Sequence, residues 1–162
     1  MMNKEVLILF FSLLLSVGLL LKYIPKERKR EAHITFLFVQ TIAWVYEYMQ
    51  VIFKWVEFPY REFNFATKMS FSMHYFTYPT FGVFFIIFYP HHKGKLRRFI
   101  YIFLFAVAIS TYTSLIEHYS SLIEFKKWNW YLSVLSNFII LCVIKRFVFW
   151  FKKGLFKMGH DS

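Results

Sequence analysis

Five apolar runs, each near the length needed to cross a bilayer, follow one another in this chain, and the charged residues gather between them. A hydrocarbon core about 30 Å thick calls for roughly twenty apolar residues in helical form. Inside it, each segment must satisfy its own backbone polar groups. The runs cover residues 6–24, 33–53, 69–89, 99–118 and 128–144. The pattern predicts an all-α fold: a polytopic membrane helix bundle of five transmembrane helices, forming one membrane domain over 1–162. Composition points the same way, because 58% of the residues are apolar and 24% aromatic despite 20 Lys and Arg, more than an aqueous domain of this length needs.

The distribution of positive charge gives an orientation. Lys22, Lys26, Arg28, Lys29 and Arg30 share a side with Lys93, Lys95, Arg97, Arg98 and with Lys145, Arg146, Lys152, Lys153 and Lys157. The other side holds Lys4, Lys54, Arg61, Lys68, Lys126 and Lys127, so fourteen stand against six. Positive-inside bias puts the larger group in the cytoplasm, with the N-terminus out and the C-terminus in, as a multi-pass protein of the cytoplasmic membrane. The first run has Lys4 offset by Glu5 and no small-residue cleavage pattern, and it reads as an uncleaved anchor.

A formal net charge of +11 raises the question of nucleic acid. These cations sit at the ends of apolar runs, where anionic lipid headgroups explain them better, so no nucleic-acid partner is expected. The expected partners are the bilayer, with anionic headgroups at the cytoplasmic face, and a second membrane protein or another copy of the chain. Cys142 is the single cysteine, which excludes an intrachain disulfide.

Between the second and third runs, residues 54–68 alternate aromatic and charged side chains around Pro59, which predicts an interfacial loop. In the third run Pro79 cannot donate to the carbonyl of Tyr75, which predicts a kink near His74 and Tyr78. Residues 145–162 predict a basic amphipathic tail in the headgroup zone.

The Trp55-Val-Glu57-Phe58-Pro59-Tyr60-Arg61 stretch, Tyr78-Pro79 in the aromatic third run, and Trp128-Asn-Trp130-Tyr131 resemble an uncharacterised family of small multi-spanning membrane proteins from spore-forming bacteria. The resemblance runs from about residue 30 onward and implies the same multi-span topology. It implies no activity, since none is assigned to that family.

The second run, HITFLFVQTIAWVYEYMQVIF, carries Gln40 and Glu47, and a carboxylate within a span costs several kcal/mol unless compensated. At about 1.5 Å per residue, Glu47 lies roughly 21 Å from the cytoplasmic start of its run, in the outer third of the core. His74, Glu117, His118 and Asn137 fall in the same outer leaflet. Gln40 and Glu47 share a helix face, while Ser110, Thr113 or Ser114, and Glu117 form one stripe suited to close helix packing and Ser133, Ser136 and Asn137 begin another.

Two readings stay open. Glu47, His74, Glu117, His118, Arg61, Asn137 and Gln40 line an outward-facing ligand site, or Glu47 pairs with a donor such as Arg61 or His74 and ties the helices in register. No HExxH or CxxC spacing, phosphate loop or nucleophile elbow is present, so neither metal nor cofactor is expected. The chain therefore reads as a non-enzymatic binding or assembly component. The alternative is a small membrane enzyme or proton-coupled carrier that uses the intramembrane carboxylates.

Overall fold

The computed structural model describes residues 4–63 and 65–158, with the backbone alone at 155–158. The elements, in order, are α1 (Lys4–Tyr23), α2 (Lys29–Ile52), β1 (Val56–Glu57), a π-helical turn (Met73–Thr77) that runs into α3 (Tyr78–Ile87), α4 (Lys95–Tyr119), β2 (Glu124–Phe125) and α5 (Trp130–Met158). The basic tail continues α5 as helix through Met158, and residues 159–162 of it lie outside the described residues.

Three of the helices are long and apolar enough to cross a membrane: α1, α4 and the Trp130–Gly154 part of α5. The other two differ for visible reasons. Helix α2 carries Glu47 and Gln50 on its buried stripe with Ala32, Thr35, Val39 and Ala43. Helix α3 has only 10 residues behind the π turn. Helix α3 is interior and buries seven of its residues, Phe85 and Ile86 completely, while α2 buries one stripe and exposes Trp44, Tyr48 and Ile52 on its other side. The outward side chains of α1 are instead apolar, with Leu15 63% and Leu21 82% exposed. Contiguous apolar exposure of that kind suits a hydrocarbon surround rather than water.

Helices α2 and α3 run antiparallel along their full length. Arg28, just before α2, donates to the carbonyls of Ile86 and Ile87 at the end of α3. Near the middle, Gly82 lets α3 approach Val39, and a Cβ there would lie 2.5 Å from a Val39 methyl. Toward the other end, Glu47 meets His74. Helix α5 pairs with α2 in the same sense through Lys152–Glu31, Phe38 stacked on Phe147, and Tyr46 bonded to Ser136.

The expected kink at Pro79 takes the form of the π turn. Tyr78 N–H reaches back five residues to the carbonyl of Met73. The Tyr75 carbonyl that Pro79 cannot serve accepts instead from Gln40 Nε2 at 2.9 Å. A backbone acceptor freed by proline is thus satisfied from a neighbouring helix, the usual requirement within lipid.

The end of the bundle near Glu47 is covered. Helix α2 stops in a turn where Lys54 N–H donates to Val51 and Trp55 N–H to Gln50, with Lys54 in the left-handed region at φ 54°. These are the two bonds of a Schellman motif, with lysine where glycine is usual. The chain then enters β1, which pairs antiparallel with β2, Val56 opposite Phe125. Val56 and Phe58 point inward at 2% and 3% exposure while Glu57 points out, the two-residue period of a strand. Residues 54–63 therefore include a folded cap over the bundle, not only an interfacial ribbon. Glu62 closes the loop by accepting from Ser70 Oγ and from the backbone N–H groups of Phe71 and Ser72, capping the start of the third helical segment.

Candidate functional site

The site is built where the buried stripe of α2 meets the π turn. Four-residue steps from Val39 through Ala43 put Glu47 on the same inward line. On the facing segment, the π turn carries His74 inward, so that both side chains are 3% exposed. His74 Nδ1 and Glu47 Oε2 are 2.9 Å apart. With the imidazole proton on Nδ1, His74 donates and the carboxylate accepts. The second oxygen, Glu47 Oε1, is buried and has no hydrogen-bond partner among the described residues.

That oxygen belongs to a residue lining a partly open cavity of about 70 Å³ between α2, α3, α4 and α5. The lining is mostly apolar, with Val39, Ile109, Leu141 and Ile144 toward the bundle middle and Val56, Phe58 and Phe125 of the cap at the far end. Its polar members, Glu47, Gln50, Thr113, Ser133 and Asn137, cluster toward the capped end. Several are already engaged: Asn137 Nδ2 donates to Ser110 Oγ at 2.9 Å, and Ser133 Oγ accepts from Trp128 Nε1 at 2.8 Å. A second, shallower groove of about 390 Å³ lies on the other side of His74, under the loop, lined by Trp44, Thr67, Met69 and Tyr75. His74 thus stands between the groove and the cavity.

The residues singled out from sequence fall into three groups. Glu47 and His74 meet directly, and Asn137 shares the cavity with Glu47. Gln40 adjoins them but spends its amide on the Tyr75 carbonyl. Glu117 and His118 stand at the C-terminal end of α4, His118 exposed with its ring against Tyr119, and neither lines the cavity. Arg61 is half-buried in the capping loop, also away from the cavity lining. Among the described residues no group of three His, Cys, Asp or Glu side chains is placed to hold a metal ion.

Three participants escaped the sequence reading. Gln50 lies one turn beyond Glu47 on the same stripe, 6% exposed, a signal that helical spacing carries. Tyr46 binds Ser136 at 2.6 Å and packs edge-on against Trp128, whose other face stacks on Trp55. Tyr78 lines the cavity beside Gly82. At the opposite end of the bundle, Glu31 joins Arg28 at 2.8 Å and Lys152 at 3.0 Å. Burial pulls its carboxyl pKa up, but the hydrogen bonds and charges of Arg28 and Lys152 outweigh burial and hold it below the ordinary value. No protein-family model, curated protein or solved structure matches this chain.

Proposed function

We propose that this is a five-span protein of the cytoplasmic membrane, N-terminus outside and C-terminus inside, that acts without catalysis by binding a small ligand at Glu47. The carrying observation is the unpartnered Oε1 of a buried carboxylate at a partly open cavity. A carboxylate kept only as a helix tie would be expected to use both oxygens, since an unsatisfied buried charge is costly. Contacts from Arg28–Ile86 to Glu47–His74 support α2, and the π turn continued by α3, as paired crossing segments. The cluster of Arg28, Lys145, Lys152 and their neighbours at the other end supports a cytoplasmic face that meets anionic headgroups. The exposed apolar faces of α1 suit lipid, another membrane protein or a second copy.

Thiol accessibility tests the binding reading. Thr113→Cys, in a Cys142→Ser background, puts a thiol on the cavity wall. A small cationic methanethiosulfonate added outside is expected to modify it, and a Phe103→Cys control, 45% exposed on the outer surface of α4, is expected to stay unreacted. Silence at position 113 would mean a sealed cavity and refute the reading. A C-terminal reporter active outside the cell would refute the orientation.

The groove beyond His74 favours one other reading, a proton-coupled carrier in which Glu47 and His74 pass a proton between groove and cavity. Protein-filled vesicles given a pH step would then take up protons in a way abolished by His74→Gln. Vesicles no leakier than protein-free ones would remove this reading.

A further inference from the structure

The ligand at Glu47 can be given a chemical class, an inference that rests on the binding reading above. Five aromatic residues face the cavity with that carboxylate, beside the polar Gln50, Thr113, Ser133 and Asn137: Tyr46 before it on α2, Tyr78 on α3, Phe58 and Phe125 from the cap, and Trp128 ahead of α5. Aromatic faces carry negative quadrupole charge and attract cations, most strongly in a desolvated setting. None of these aromatic residues supplies a hydrogen for a carboxylate oxygen except through the Tyr hydroxyls and the Trp N–H. Of these, Tyr46 Oη is engaged with Ser136 and Trp128 Nε1 with Ser133. The Tyr78 hydroxyl and the Gln50 amide also line the cavity, and the free oxygen of Glu47, bonded to neither, shares it with the π-electron density of the rings.

An N–H-bearing cation complements both features. It would donate to Oε1 and present its positive charge to the rings. One carboxylate at the cavity matches one monovalent cation. Size narrows the class further. A cavity of about 70 Å³ holds about five to seven waters at about 10–15 Å³ of such space each, so the cation has only a handful of non-hydrogen atoms. We infer that the Glu47 cavity is a binding site for a small primary ammonium ion, methylammonium being the simplest organic member of the class.

The test uses the full-length protein in lipid nanodiscs and radiolabelled methylammonium. Saturable binding of one ion per chain is expected, displaced by unlabelled ammonium or methylammonium and not by equal concentrations of sodium or tetramethylammonium. Glu47→Gln should weaken it at least tenfold. Ala43→Leu leaves Glu47 in place but fills the cavity wall that Ala43 lines, and it should weaken binding as much, so the result does not depend on how the Glu47 variant folds. Absence of saturable binding by folded wild-type protein would overturn the inference, as would retention of binding in Ala43→Leu or displacement by sodium. If Thr113→Cys is modified from outside and methylammonium does not bind, the ligand class alone is wrong. If Thr113→Cys stays silent, the binding reading falls with it.

Discussion

Replacing Gly82 by alanine adds a single methyl group at a close contact between α3 and α2. The new Cβ would stand 2.5 Å from Val39 Cγ2, 3.1 Å from Cγ1 and 3.2 Å from Cβ. Carbon atoms attract best at about 3.5–4.0 Å, so the methyl has to retreat by roughly 1 Å. Val39 cannot swing aside cheaply, because a β-branched side chain in a helix is held to one χ1 rotamer. Nor can the helices part freely, since Arg28 at one end and His74 at the other hold α3 against α2. Overpacking of this kind costs about 1–3 kcal/mol. Val39→Ala removes the two clashing methyls and on its own costs about 1–2 kcal/mol of packing. The double variant should be better than the sum of the singles by at least about 1 kcal/mol, the coupling expected of residues in direct contact. Chemical unfolding of the four proteins in nanodiscs measures this. Gly82→Ala unfolding within about 0.5 kcal/mol of wild type, or strict additivity with Val39→Ala, would refute the close approach.

Two further outcomes follow from contacts away from the carboxylate. Gln40→Leu leaves the Tyr75 carbonyl without a donor and should cost about 1–3 kcal/mol. Adding Pro79→Ala restores a backbone N–H next to that carbonyl and should recover part of the loss, and no recovery in unfolding measurements would mean that Gln40 matters for another reason. At the other end of the bundle, the lowered carboxyl pKa of Glu31 implies stability that is present above the ordinary value of 4.5 and lost as pH falls through it and below. Partial exposure of Arg28 and Lys152 keeps the effect small. Thermal unfolding midpoints should therefore decline modestly below that pH, and Glu31→Gln should flatten this part of the profile; an unchanged slope would assign the acid sensitivity elsewhere.

How far the sequence could be read depended on whether a feature was local. Apolar runs of membrane length and a carboxylate inside one of them are properties of contiguous residues, so the helices and the singularity of Glu47 were visible. The helical interval from Gln40 to Glu47 was visible too, and both residues do reach the same π turn. What was not visible is which helices touch. Arg61, His74 and Glu117 were all eligible neighbours for Glu47, and the choice of His74 follows from how the π turn packs against α2. Lys54 ended α2 without the glycine that marks such a turn. The three hydrogen bonds of Glu62 go to residues eight to ten positions on, a reach that no local spacing marks. The 54–68 stretch looked interfacial because its aromatic residues are numerous. Its folding into a cap depends on β2, some seventy residues later.

The central claim is that Glu47 gives one oxygen to His74 and holds the other for a ligand. The unfolding free energy of Glu47→Gln against wild type in nanodiscs tests it most directly. Glutamine fills the same space, and its carbonyl can still accept from His74 Nδ1–H, while the uncompensated charge at the cavity is gone. If the second oxygen is kept for binding, the variant will be as stable as wild type or more so, because a site held for function is maintained at the expense of stability. A loss of about 3–5 kcal/mol, the usual consequence of breaking a buried ion pair, would contradict the claim and make Glu47 a helix tie.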